Sequence, residues 1–577
     1  MYIRKLVQKN KDGCERIYYQ VCESIREGKK VKKRVLATLG RVGEAVTERK
    51  IDQLMESLIK QTGREQIFQL LKDLKCKQSK GFGELEVIRK VFKDLGLENI
   101  LRSKLADTEK KIDYVEAIFM AICNRLSDSG SKKRASEWKE GMHCPNWEQL
   151  ELQHVYRGMD FLIDQKDELE GALFDQTRTL FNSKVHVAMF DTTNVSYWGK
   201  GDDQIFQYGH SKNKRFDLKQ LVVGIVMDRD GTPLGHEVWP GNMSDITAFM
   251  EVIQKVKKKF CIEKVVLVCD RGMICEKNIS FLESENYEYI LGVKIRHLSR
   301  FRQELLLKES DFEDLEVGGR LGKEILESSL HEAEVYHAYN EKKSNGIKPH
   351  PIDEESLKEY RNSKKGKRRW IACLNPILAQ EDKYKREYFR KILENKVDFR
   401  TAKEWIVKNG YKKYVIIEDF KVKLDRDKLE NEAIYDGKWC LITNTDFSIS
   451  ESVAKYKELA QIEQHFKVLK SEIELGPIYH WTEKRVRAHV FICFIALQIQ
   501  AYITKKIKEK DPSISYRIAM NDVKKIRANY YQIGNKHYIQ RTEFIGLADL
   551  VFKATGTKPP PLFLKIPDES KSVGHTS

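Results

Sequence analysis

The chain has 577 residues, 41% of them hydrophobic and 10% aromatic. It is long enough for several domains and too apolar for a mainly disordered protein. Its 103 Lys and Arg against 86 Asp and Glu leave a formal charge of +17, which points to a polyanionic partner. The opening MYIRKLVQKNKDG has no apolar run of the secretory type, and the eleven cysteines form no C-x-x-C pair. We therefore expect a reduced, cytoplasmic protein without a zinc ribbon.

Residues 1–45 read as strands, with the β-branched and aromatic IYYQVCESI flanked by Asp12-Gly13 and Glu27-Gly28. This segment carries 12 Lys/Arg and 5 Asp/Glu, a net +7, and is densest at Lys29, Lys30, Lys32, Lys33 and Arg34. A basic β-ribbon can lie along phosphates, although a charged edge strand that resists aggregation explains the same run equally well. Residues 46–184 turn helical: IDQLMESLIKQ, ELEVIRKVFKDLGL and YVEAIFMAICNRL space their apolar residues by three, four and seven.

Residues 185–297 change texture again. HVAMFDTTNVSYWG, LKQLVVGIVMD, KVVLVCDRG and YEYILGVKI are strand-like, with the helix-like DITAFMEVIQKVKKKF between the second and third. This alternation predicts an α/β layer on a mixed sheet. Residues 298–435 break the rhythm and read as a separate inserted domain, with a basic run, SKKGKRRW, that contains Lys367, Arg368 and Arg369. Residues 436–510 resume with the strand DGKWCLITNT, the helical ESVAKYKELAQIEQHFKVLKSEIEL and the apolar VFICFIALQIQAYI. The last of these has 14 residues, too few to span a bilayer, and reads as a buried helix, so no membrane partner is expected. Residues 511–577 close the chain as a helical segment and a Pro-rich tail.

Asp191 and Asp270 each stand where an apolar strand gives way to a polar turn, the place where functional groups gather in α/β sheets. Tyr456, Glu463 and Lys470 are spaced by seven, so on one helix each step falls about 20° short of two turns and all three share a face. An amphipathic helix with marginal charges has the same spacing. GGRLGK at Gly318–Lys323 lacks the spacing of a phosphate loop, and His331-Glu332 lacks the second histidine of a zinc protease helix.

The pieces Asp191-Thr-Thr, Asp270-Arg-Gly-Met and Y-x2-L-x3-E-x6-K at Tyr456–Lys470 resemble the DDE transposases of bacterial insertion sequences. The likeness is to the IS4-like superfamily and its IS1634-type branch. VLATLGR, WPGNMSD, RRWIACLNP and PIYHWTEKRVRAHVFICFIAL add to it, so it runs from about residue 1 to 510. Leu459 stands where the broader family often has Arg.

The resemblance implies a multidomain α/β protein. Its ribonuclease-H-like catalytic core would be interrupted by a β-rich insertion, within the 193 positions from Asp270 to Glu463. It also implies cleavage at terminal inverted repeats and strand transfer into target DNA on the nucleoid. Asp191, Asp270 and Glu463 would hold two Mg2+ ions, replaceable by Mn2+, with Asp191 bridging. Tyr456 and Lys470 would contact phosphates, and a homodimer would hold two double-stranded ends in a synaptic complex. Trp239 and Tyr197 are candidates for stacking a displaced base, though buried aromatics are the stronger expectation. A catalytically silent, transposase-derived DNA-binding protein is the alternative.

Overall fold

A computed structural model describes residues 2–9, 15–27, 30–61, 75–106, 112–181, 187–199, 201–209, 215–228, 231–244, 247–248, 250–252, 254–255, 266–270, 275–315, 320–394, 414–418, 421–533 and 536–566. The chain forms two compact units. One comprises Met1–Lys80, Ile526–Glu543 and Pro560–Ser577; the other comprises Gly81–Lys525 and Phe544–Pro559.

The smaller unit opens with β1 (Tyr2–Lys9), β2 (Glu15–Glu27) and β3 (Lys30–Arg41), an antiparallel sheet in the order β1-β2-β3. Helix α1 (Ala45–Gln61) follows. Most described residues of β1 and β3 are exposed, including Ile3, Val7, Val31 and Val35. A second sheet joins β4 (Lys75–Gly81) to three strands from the far end of the chain. These are β16 (Arg527–Ile533), β17 (Lys536–Arg541) and β18 (Phe563–Ile566). The sequence had suggested helix around β4 and a helix with a tail after residue 511. Tyr530, Tyr531, Ile533 and Ile539 supply the β-favouring aromatic and branched residues that the hairpin needs.

Helices lead into the larger unit: α2 (Gly83–Asp94), α3 (Leu97–Ala106), α4 (Tyr114–Ser127), α5 (Lys132–Trp138), α6 (Leu152–Asp164) and α7 (Lys166–Phe181). Strands β5 (Val187–Tyr197), β6 (Lys219–Asp228) and β7 (Pro233–Pro240) form an antiparallel meander. Then β8 (Val266–Cys269) runs parallel to β5, and β9 (Glu288–Val293) runs parallel to β8 across α8 (Glu276–Ser284). At the turn after β7, a Cβ on Gly241 would stand 2.0 Å from the Gln220 carbonyl oxygen and 2.3 Å from that of Gln207. Only glycine lets these three backbones meet, which accounts for its place in WPGNMSD.

Residues 298–435 do not stand apart as a domain of their own. Their α9 (Arg300–Leu307), α10 (Glu327–Ser344), α11 (Glu354–Asn362), α12 (Pro376–Glu394) and α13 (Arg426–Asn431) make the described part more helical than β-rich. The strands β10 (Glu313–Leu315), β11 (Arg320–Leu326) and β12 (Arg369–Leu374) extend the central sheet; β13 (Val415–Glu418) and β14 (Lys421–Leu424) pair with each other. With β15 (Lys438–Thr443), the sheet order becomes β10-β11-β12-β15-β9-β8-β5-β6-β7. The physical reason is a shared core: Leu306, Leu330 and Trp370 pack in the same buried cluster as Phe190, Trp239 and Leu291.

Four helices follow β15: α14 (Ile449–Lys457), α15 (Ala460–Ser471), α16 (Glu483–Lys510) and α17 (Tyr516–Lys524); α18 (Ala548–Ala554) comes after the hairpin. Helix α16 has 28 residues and is long and apolar enough to cross a membrane, yet 83% of its most apolar window is buried inside the protein. It packs against α4 and α6 as a core helix.

Candidate active site

Parallel pairing of β5 with β8 places the first two acids. Phe190 pairs with Cys269 as the last residues in register, so Asp191 and Asp270 occupy the next position on adjacent strands. Neighbouring strands lie about 4.8 Å apart and in-register side chains share a face, which brings two carboxylates side by side. Asp191 is half-buried and accepts a hydrogen bond from the Thr192 N–H at 2.6 Å; Asp270 is exposed. Behind both lies buried Cys269, whose thiol pKa is pushed well up, first by burial and then by the two aspartate charges.

The third acid arrives from α15. The sequence predicted one continuous helix through Tyr456, Glu463 and Lys470, but a tight turn at Glu458–Leu459 separates α14 from α15. There Leu459 N bonds Tyr456 O at 3.2 Å and Ile462 N bonds Leu459 O at 3.0 Å. Such three-residue spacing rotates each residue by about 120°, against 100° in an α-helix, so the heptad register slips. Tyr456 and Glu463 both line a cleft of about 480 Å³ with Asp191 and Asp270. Lys470 is exposed on the last turn of α15 and does not line it.

The same cleft is lined by Arg320, Asn375, Leu378, Trp439, Lys457, Leu459 and Ala460. Sequence reading missed the first four and Lys457. Arg320 lies inside the GGRLGK segment set aside as a phosphate loop, and Lys457 adjoins the motif tyrosine. Lys457 Nζ is enclosed and has no hydrogen-bond partner among the described residues. Two cations thus face three carboxylates in a partly apolar cleft.

The carboxylates present the hard oxygen donors that divalent cations take. Among the described residues, no three His, Cys, Asp or Glu side chains converge closely enough to enclose one ion. The three carboxylates thus line one open cleft without closing on a single ion, and their oxygens are of the kind that divalent cations take.

The basic runs divide. Lys32, Lys33 and Arg34 are exposed on β3. Lys29 and the side chain of Lys30 lie outside the described residues. Lys367 is exposed. Arg368 is 2% exposed and bonded to Glu276 and Glu283. Arg369 pairs with Glu324 and donates to the carbonyls of Thr445 and Phe447 at 2.6 and 2.7 Å. These two arginines are consumed by structure and are corrected from DNA contacts to internal ties. Trp239 and Tyr197 are buried; Trp239 donates to Glu251 at 2.7 Å and Tyr197 stacks on Phe206 at 3.7 Å.

The family described as "Transposase DDE domain" matches residues 186–499, and "IS1634 family transposase, N-terminal domain" matches residues 3–69. No curated protein matches the chain. Among solved structures, a cryo-EM piggyBac transposase synaptic complex with hairpin DNA is 9% identical, with 76% of this chain and 77% of that chain covered and a TM-score of 0.35. The Mos1 mariner paired end complex with Mn is 12% identical over 32% of this chain and 59% of that one, with a TM-score of 0.14. A Mos1 transposase paired-end complex with left transposon end is 11% identical over 44% and 70%, also at 0.14.

Proposed function

The chain belongs to the DDE transposases, and from that premise we propose that it cuts DNA at the terminal inverted repeats of its own insertion sequence and joins the freed ends to target DNA. It is a DNA transposase, of a class that depends on divalent metal. The observation that carries the proposal is the shared cleft of Asp191, Asp270 and Glu463, residues brought together across 272 positions of chain. The strand order of β7-β6-β5-β8-β9, a meander followed by two parallel strands, supports a ribonuclease-H-like core.

In this reading the three carboxylates hold Mg2+, two ions in all, with Mn2+ as a substitute. Bound there, the metal supplies Lewis-acid stabilisation of the attacked phosphate and a lowered pKa for the attacking water. The chain's own residues supply the rest. Arg320 and Lys457 set positive charge against a phosphodiester that would otherwise meet only carboxylates. Leu378, Trp439 and Leu459 give the cleft an apolar wall for sugar and base edges. Lys32, Lys33 and Arg34 track phosphates of the end, and a homodimer on the nucleoid holds two ends together.

An end-bearing duplex tests this. Asp191→Ala should still shift the duplex in a gel while losing cleavage in Mg2+ and Mn2+. Retained cleavage would remove Asp191 from the catalytic set. A wild-type chain that shifts the duplex but nicks it in neither metal would favour the silent DNA-binding alternative.

A further inference from the structure

The face of the sheet that carries the acids continues beyond them. In register past the Cys269–Leu291 pair, Asp270 neighbours Gly292 on β9, and Gly292 pairs with Leu441 on β15. Trp439 lies two residues from Leu441 and so projects to that same face. Asp270, Gly292 and Trp439 therefore mark three adjacent strands, β8, β9 and β15, on one side of the sheet.

Tyr456, near the end of α14, lies across all three. Its ring stacks on Trp439, with centroids 5.4 Å apart and planes inclined by 22°. Its hydroxyl donates to Asp270 Oδ1 at 3.3 Å. Between the two, a Cβ on Gly292 would stand 2.1 Å from the phenol oxygen. Any side chain at Gly292 would push the ring off the sheet, so the absent Cβ makes the seat for the phenol. An aromatic platform and a glycine seat together hold the hydroxyl beside one oxygen of the exposed Asp270 carboxylate.

We propose that Tyr456 is a positioning residue that orients Asp270 toward a divalent ion, with Trp439 and Gly292 holding the phenol in place. This rests on the metal-holding role of Asp270 given above. It replaces the phosphate contact that the resemblance implied for Tyr456, whose hydroxyl is already directed at a carboxylate. Asp270 Oδ1 accepts the hydrogen bond of the phenol, which leaves Oδ2 for the ion. Partners of this outer kind typically contribute about 10–100-fold to metal affinity.

The test uses full-length protein and Mn2+ alone as the probe, with unbound Mn2+ followed by electron paramagnetic resonance in the absence of DNA. Tyr456→Phe keeps the stacking and removes only the hydroxyl. It should weaken Mn2+ binding by about 10-fold while end binding in EDTA stays within twofold, and excess Mn2+ should restore most cleavage. Gly292→Ala should shift Mn2+ binding in the same direction by displacing the ring. Unchanged Mn2+ binding with weakened end binding in Tyr456→Phe would overturn the proposal in favour of a phosphate contact. Asp270→Asn separates the two layers. If it weakens Mn2+ binding and Tyr456→Phe does not, only the positioning role falls. If Asp270→Asn binds Mn2+ as wild type does, the positioning role falls with its premise, and wild-type cleavage of the ends then judges the transposase reading separately.

Discussion

The guanidinium of Arg368 holds both oxygens of Glu283, Nε to Oε1 at 2.8 Å and Nη2 to Oε2 at 2.9 Å, and its remaining nitrogen reaches Glu276 at 2.9 Å. Glu283 also accepts from the Tyr289 hydroxyl at 2.8 Å. Removing one member of a buried pair strands the other, at a cost of about 3–5 kcal/mol. Arg368→Ala should lower the unfolding free energy by that amount in urea titrations. The salt dependence of DNA binding should be unchanged, since this arginine has no free face for a phosphate.

The acids of the cleft should behave oppositely. Asp270→Asn and Glu463→Gln remove charge from the cleft wall and leave the core intact, so melting temperatures should stay close to wild type. Cleavage should fall by more than about 10³-fold, the equivalent of roughly 4 kcal/mol of lost charge stabilisation. A single-turnover nicking assay on end-bearing duplex measures it.

On the N-terminal sheet, Lys32, Lys33 and Arg34 sit on a strand exposed along most of its length. Each phosphate they neutralise contributes about −0.9 to the slope of log K against log salt. Replacing all three by Ala should flatten that slope by up to about 2.7 units. A slope equal to wild type would return the run to the role of a charged, aggregation-resistant edge.

Acid should destabilise the larger unit. The His480 pKa is lowered to about 3 by burial and then by the charges of Lys132, Arg125 and Arg485. His489 is lowered well below its usual value by burial, then Arg125 and Lys132. Both are neutral in the fold, whereas an unfolded histidine takes its proton near pH 6.5. Their contribution is complete above that pH and is lost as pH falls below it, by about 1.4 kcal/mol per pH unit for each. Urea midpoints at pH 7.5 and 5.5 check the sign, and His480→Asn should remove one histidine's share of the slope.

What was legible beforehand follows from the range of the interactions. Asp191 and Asp270 could be found because apolar runs that end in an acid are local patterns; Asp270 does follow the end of β8, but the turn expected at Asp191-Thr-Thr-Asn is strand, since β5 runs on to Tyr197 paired with β6. Strand β7 was missed because proline bounds PLGHEVWP at both ends and His236 and Glu237 interrupt its apolar pattern. His236 is accommodated by Glu170 on α7, at 2.7 Å, and by stacking on Phe491 and Phe494. Arg368 was misread because a charge run reveals nothing of partners 85 and 92 positions away. Lys470 was misplaced because a three-residue turn leaves the heptad spacing intact in the sequence while changing the angle in space. Trp439 and Arg320 carry no motif and become visible only when strands β15 and β11 are seen on the sheet that bears the acids.

Strand β4 ends at Gly81, and the strand that pairs with it begins at Arg527. During synthesis those strands are separated by all of the acid-bearing unit except Phe544–Pro559, on the order of half a minute of translation at typical rates. The cleft can thus be complete while β4 still offers an unpaired edge. Helix α18, whose Val551 and Phe552 are buried, joins the larger unit later still. The smaller unit thus closes late, by the order in which its strands are made.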